Sequence, residues 1–94
     1  MKLNNTTYVH IKIRKLCQLL AYLMNMELAT DLSEEYSQIR FTGKYSYLTI
    51  DYDHKTCFAM SHKITKKEQE IIEEIMICCQ WLETGRRYQM LHKK

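Results

Sequence analysis

The chain has 94 residues, a net charge of +3, no proline and two glycines. A chain of this length holds one domain with a single core and leaves little room for a deep substrate cleft. Since Gly43 and Gly85 lie far apart, the glycine-rich phosphate loops of nucleotide-binding enzymes are excluded, and the connections between elements are expected to be few and short.

The first predicted element is a helix over roughly residues 8–28, preceded by a loose start over residues 1–6. Apolar residues in this segment recur at helical spacing, and Thr6 or Thr7 is the expected N-cap. Apolar and charged residues also alternate over residues 9–14, which is typical of a strand. A short N-terminal strand therefore remains the alternative to the start of this helix.

Three strands are predicted next, over residues 37–42, 45–52 and 56–61. Gly43-Lys44 and Asp53-His54-Lys55 connect them and are typical of turns, so the strands are expected to form an antiparallel meander. Successive side chains of a strand point to opposite faces of the sheet. In the second strand one face carries Tyr47, Thr49 and Asp51, and the other carries Leu48, Ile50 and Tyr52.

The last predicted element is a helix that begins at a capping box. In this motif the Thr65 hydroxyl accepts a hydrogen bond from the Glu68 amide, and the Glu68 carboxylate reaches back. Gly85 is the expected C-cap glycine, and residues 86–94 form a basic tail that either extends the helix or frays. The helix carries one broad apolar stripe, made of Ile71, Ile72, Ile75, Met76, Cys78, Cys79 and Leu82.

The order of the predicted elements is α-β-β-β-α. This order predicts an α+β fold in which two helices pack on one face of a three-stranded antiparallel sheet. No linker, repeat or low-complexity segment interrupts the sequence, so residues 1–94 are expected to form a single compact domain.

The cysteines and histidines give no pattern typical of a metal site or a nucleophile. Structural zinc sites take their ligands in local pairs, whereas here Cys78 and Cys79 are adjacent and the histidines are scattered. All four cysteines, Cys17 and Cys57 included, lie in apolar patterns, where a thiol behaves as a small hydrophobe. We therefore expect buried, reduced thiols, no metal, no cofactor and no enzymatic activity.

The start of the sequence also predicts a compartment. The first residues are polar and lack the apolar region of a secretory signal. The longest apolar stretch, residues 16–28, covers about half of a membrane span. A cytoplasmic protein without membrane insertion is expected, which agrees with reduced cysteines.

Tyrosines near the predicted sheet are the first candidate binding residues. If Leu48 and Ile50 face the helices, Tyr47 faces outward, and exposed tyrosines are typical of protein interfaces and of base-stacking surfaces. Cross-strand aromatic packing that stabilises the sheet is the structural alternative. The candidate partner-binding set combines Tyr45 and Tyr47 with an acidic patch that includes Asp51, Asp53, Glu34 and Glu35.

Basic residues around the last helix are the second candidate site. Lys63, Lys66 and Lys67 surround its start, where helix amides attract phosphate, although solvated lysines would explain the same pattern. Arg86 and Arg87 add positive charge beyond Gly85. These five residues are the candidate phosphate-binding set.

The lysines at 63, 66 and 67, together with the element order, resemble the double-stranded RNA-binding domain over roughly residues 8–84. That resemblance implies lysines on phosphates across a groove. The family's Gly-Pro turn and the histidine after it are absent here. The likeness is therefore one of topology, which by itself does not assign a function.

Two functions follow as expectations. The first is a small protein-binding inhibitor or adaptor of the kind that phages and mobile elements direct against host defence or nucleic-acid-processing enzymes. Small, motif-free, glycine-poor chains such as this one look like that group, anti-CRISPR proteins among them. The alternative is a domain that binds double-stranded nucleic acid directly. The first is preferred because the charge is nearly balanced, and a homodimer is compatible with either.

Overall fold

The computed structural model describes residues 5–32 and 36–92, with side chains from Thr6 to Gly85 within those ranges. Within these residues, two helices enclose four strands. In order these are α1 (Asn5–Met24), β1 (Glu27–Leu28), β2 (Gln38–Thr42), β3 (Tyr47–Asp51), β4 (Thr56–Met60) and α2 (Lys66–His92).

The strands form one antiparallel sheet in the order β1-β2-β3-β4. The three predicted strands correspond to β2, β3 and β4, and the α+β class with helices packed on the sheet is confirmed. The difference is β1, a two-residue strand in which Glu27 pairs with Thr42 and Leu28 with Phe41. The prediction had included these residues in the first helix.

Helix α1 ends four residues earlier than predicted because Asn25 adopts a left-handed conformation with a φ of 55°. The Asn25 amide donates to the Tyr22 carbonyl at 3.1 Å, and the Met26 amide donates to the Ala21 carbonyl at 2.9 Å. This pair of bonds is the Schellman motif, in which asparagine is the usual substitute for glycine. The chain then turns into β1.

The predicted N-cap of α1 and the predicted C-cap of α2 both differ from the structure. Helix α1 begins at Asn5, so Thr6 and Thr7 lie within its first turn and neither is the N-cap; residues 5 and 6 are not a loose start. Helix α2 continues through Gly85 to His92, so Gly85 is not a C-cap. Its φ is not positive, and a glycine without that conformation does not end a helix.

The core lies between the sheet and the helices. From the sheet, Ile39, Phe41, Leu48 and Ile50 are fully buried. Leu48 and Ile50 therefore face the helices, which is the condition under which Tyr47 was expected to face outward. The predicted stripe of α2 is buried or half-buried throughout, and Ile13, Cys17 and Leu20 supply the inner side of α1. Burial of side chains of this size from both layers is the main favourable contribution to folding.

Candidate functional site

The sheet has one face against the helices and one face turned away from them, here called the outer face. The register places its side chains in three rows across β2, β3 and β4. The first row is Thr42, Tyr47 and Met60; the second is Arg40, Thr49 and Phe58; the third is Gln38, Asp51 and Thr56.

Apolar side chains concentrate at one end of the outer face. The rings of Tyr47 and Phe58 lie with their centroids 5.9 Å apart and tilted by 40°, a favourable aromatic geometry. Phe58 is 56% exposed and Met60 is 48% exposed. Tyr45 is exposed in the adjoining turn. We call Tyr45, Tyr47, Phe58 and Met60 the aromatic end.

Two cations adjoin the aromatic end. Arg40 is exposed and lies in the same row as Phe58, and Lys44 Nζ lies 5.3 Å from the centroid of the Tyr45 ring. The backbone beneath Arg40 is fixed because the Thr30 hydroxyl accepts from the Arg40 amide at 2.7 Å and donates to the Gln38 carbonyl at 3.3 Å. The guanidinium therefore extends from a well-anchored strand.

The predicted acidic residues occupy the opposite end. Asp51 lies four residues along β3 from Tyr47, about 13 Å at strand rise. Its carboxylate contacts His54 Nδ1 at 2.8 Å and accepts from Gln38 at 3.3 Å, and the hydrogen bond with His54 holds the pKa of Asp51 below its usual value. Asp53 is exposed in the adjoining turn.

The predicted partner-binding set is thus divided between two ends. Asp51 has a structural contact that orders the β3–β4 turn, and the tyrosines lie at the other end with cations beside them. Glu34 and Glu35 lie outside the described residues.

The lysines near α2 surround the start of that helix, where the carboxylate of Glu68 already binds a backbone amide. Glu68 is 5% exposed; its Oε1 accepts from the Thr65 amide at 3.1 Å and contacts His62 Nε2 at 2.8 Å. Negative charge so placed interacts favourably with the helix dipole and competes with phosphate. Lys63, Lys66 and Lys67 are exposed around it.

Arg86 and Arg87 belong to the backbone of α2, but their side chains lie outside the described part of the structure. Whether they join the three lysines in a phosphate-binding set stays a prediction.

The burial expected of the thiols is confirmed for three of the four cysteines. Cys17, Cys78 and Cys79 are buried, whereas Cys57 is half-buried. Desolvation, with Cys79 and Cys78 nearby, raises the pKa of Cys17 to about 12. Within the described residues, no three His, Cys, Asp or Glu side chains converge as a metal site.

Sequence reasoning missed Phe58, Met60 and Arg40 as members of the candidate site. Phe58 and Met60 lie two residues apart in β4 and therefore share one face of the strand. The sequence did not show the register, which places these residues beside Tyr47 on the face of the sheet turned away from the helices.

No family model matches this chain, and no match was found among curated proteins or solved structures. In the described part of the chain, neither helix has the length and apolar character needed to cross a membrane.

Proposed function

We propose that this chain is a small non-enzymatic protein-binding module, and that the aromatic end of the outer face is its binding surface. The observation that carries the proposal is the exposure of Phe58 and Met60 beside Tyr47, on the face that contributes nothing to the core. Tyrosine, phenylalanine, methionine and arginine are among the residues enriched at protein interfaces. The aromatic end and Arg40 supply all four.

The charges beside the aromatic end support a partner of a particular chemistry. Arg40 and Lys44 border the aromatic end, and an interface gains specificity when opposite charges meet across it. The proposed partner is therefore a protein surface with an apolar projection flanked by carboxylates. A phage-type inhibitor of a host nucleic-acid-processing or defence enzyme is the biological class we propose for such a module.

The test begins with capture of partners from nuclease-treated lysate of the source cell. A captured protein is then purified, and its Kd is measured against variants. Phe58→Ala and Tyr47→Ala are expected to raise Kd at least about 30-fold, since a central aromatic hot spot is worth on the order of 2 kcal/mol. Thr56→Ala, on the same face at the far end, is the matched control.

The outcome that contradicts the proposal is a Kd that neither aromatic change alters. Tyr47→Ala and Phe58→Ala are each expected to cost about 0.5–1.5 kcal/mol of folding stability through their ring contact. Circular dichroism of each variant separates lost folding from lost binding.

A second function, direct nucleic-acid binding, is favoured by one specific observation. Many proteins bind single strands on an antiparallel sheet that carries aromatic rings with cations nearby. Here Lys44 lies over the Tyr45 ring, and Arg40 lies opposite Thr49, one row from Tyr47. Capture that disappears on nuclease treatment, with binding to labelled oligonucleotides, would favour this function over the first.

A further inference from the structure

A second exposed apolar surface lies on the helices. Along α1, Tyr8, Ile11, Leu19 and Tyr22 are exposed although the inner side of the same helix is in the core. With exposed Lys15 they follow the spacing of one helix face. This α1 stripe is about 21 Å long at helical rise.

A matching stripe lies on α2. Ile77 is 59% exposed and Trp81 is 40% exposed, and Glu70, Glu73 and Thr84 are exposed at positions that continue the same face. This α2 stripe has the same residue spacing, and therefore the same length, as the α1 stripe.

An ion pair joins the two helices next to the stripes. Lys12 Nζ lies 2.8 Å from Glu74 Oε1, with both side chains about 40% exposed. Lys12 is one turn beyond Tyr8, and Glu74 is one turn before Ile77. The stripes therefore lie side by side on the surface that the helices turn away from the sheet. An open groove of about 260 Å³ follows the α1 stripe, lined by Tyr8, Ile11, Lys12, Lys15, Leu16 and Leu19.

The stripes carry opposite charges. Helix α1 contains three lysines and arginines and no acidic residue, and Lys15 lies at the centre of its stripe. The α2 stripe begins with two carboxylates, Glu70 and Glu73, and continues with its apolar pair, Ile77 and Trp81. A surface that is basic and apolar on one helix and acidic and apolar on the next is complementary to itself.

We propose that this helix surface binds a second copy of the chain, with the α1 stripe of each copy against the α2 stripe of the other. A two-fold dimer contains this contact twice. The α1 stripe of the first copy contacts the α2 stripe of the second, and the symmetry makes the α2 stripe of the first contact the α1 stripe of the second. An antiparallel alignment can set Lys15 opposite Glu73. The same alignment sets Ile11, one turn earlier, opposite Ile77, one turn later in α2.

A membrane surface fits the α1 stripe less well. Interfacial helices keep their cations on the polar face, whereas Lys15 lies between Ile11 and Leu19 in the middle of the apolar one. A glutamate of the second copy gives that ammonium a partner. The dimer leaves the outer face of the sheet free, so this inference is independent of the proposed function.

Sedimentation equilibrium tests the dimer. Wild-type protein is expected to reach twice its chain mass of 11.4 kDa at micromolar concentration. Leu19→Asp is expected to remain monomeric with an unchanged circular dichroism spectrum. Phe58→Asp changes another exposed apolar position, on the sheet; it is expected to leave the dimer intact and is the matched control.

Charge reversal tests the pairing. Lys15→Glu alone, and Glu70→Lys with Glu73→Lys together, are each expected to weaken self-association at least about tenfold, since like charges then meet in both contacts. Mixing the two variants is expected to restore dimers, because one contact then has both charges reversed and the other has both native.

Three results would overturn the inference. The first is that the wild type stays monomeric at about 100 µM. The second is that Phe58→Asp abolishes the dimer and Leu19→Asp does not. The third is that the two charge variants, each folded, fail to associate when mixed. A monomeric wild type that binds vesicles of phosphatidylcholine and phosphatidylglycerol through Leu19 would identify an anionic membrane as the occupant instead.

Discussion

Thr65 and Glu68 form two reciprocal hydrogen bonds at the start of α2. The Glu68 amide donates to Thr65 Oγ1 at 3.2 Å, and the Thr65 amide donates to the Glu68 carboxylate at 3.1 Å. The same carboxylate contacts His62, so a single buried acidic group fixes the turn after β4 and the first turn of α2. The capping box predicted from sequence is confirmed.

Removal of the cap is expected to destabilise the fold. Thr65→Ala should lower the free energy of unfolding by about 1 kcal/mol, because the Glu68 amide loses its acceptor. Glu68→Ala should cost more, about 2 kcal/mol, since it leaves two groups, His62 and the Thr65 amide, without their acceptor. Urea denaturation measures both. Lys67→Ala, exposed in the same turn, is the control, and equal midpoints for Thr65→Ala and Lys67→Ala would count against the cap.

Gly85 is expected to be replaceable with a gain in stability. It lies inside α2, and an added Cβ would come no closer than 3.8 Å to the Trp81 ring. Gly85→Ala should therefore stabilise the protein by about 0.5–1 kcal/mol, the difference in helix propensity. Gly43→Ala is the contrast, because its Cβ would lie 2.7 Å from Ser46 Oγ and 3.2 Å from Met26 Cγ. A loss of thermal stability in Gly85→Ala would place the helix end at Gly85 after all.

Cys17 is expected to make the protein less stable in alkali. Its pKa is raised from 9.0 to about 12 by burial, so the folded chain keeps a proton that the unfolded chain releases. The contribution of Cys17 is complete below about pH 9 and is lost as the pH rises toward 12, by up to about 1.4 kcal/mol per pH unit. Chemical denaturation between pH 8 and 11 measures how the free energy of unfolding falls with pH. Cys17→Ala should reduce this fall more than Cys57→Ala does.

Alkylation of the native protein gives an independent check of the same burial. At pH 8, Cys57 should be labelled first, because it is only half-buried, and Cys17 should react slowly, because it is buried and almost wholly protonated. Peptide mass spectrometry resolves the sites. Equal rates at the two positions would contradict the packing described for α1.

The lysines at the start of α2 test the duplex-binding alternative expected from the sequence. We expect purified wild-type protein to show no duplex RNA or DNA binding at physiological salt, because Glu68 already occupies that helix start. Replacing Lys63, Lys66 and Lys67 with alanine should change stability by no more than about 0.5 kcal/mol. Fluorescence polarisation over a salt series measures binding. Direct nucleic-acid binding would be favoured by a micromolar affinity that falls steeply with salt. The slope of log affinity against log salt concentration should then be smaller by about two to three in the triple variant.

Local chemistry in the sequence determined much of this fold. The capping box placed the start of α2 within a residue, and strand alternation placed Leu48 and Ile50 on one face of the strand and Tyr47 on the other. These features depend on neighbours within four residues, so the sequence pattern contains all the information they require. Asn25 was a helix-end signal of the same local kind, although the prediction did not use it.

Only the tertiary structure decided the rest. Two residues such as Glu27 and Leu28 become a strand because β2 supplies their hydrogen bonds, and no local pattern contains that pairing. Phe58 joins Tyr47 only through the register of β4 on β3. Ile77 and Trp81 have the composition of a core, yet they are exposed because α2 has just one side against the sheet and α1. Periodicity shows that a helix has an apolar side, whereas the packed neighbours decide which apolar residues stay in contact with water.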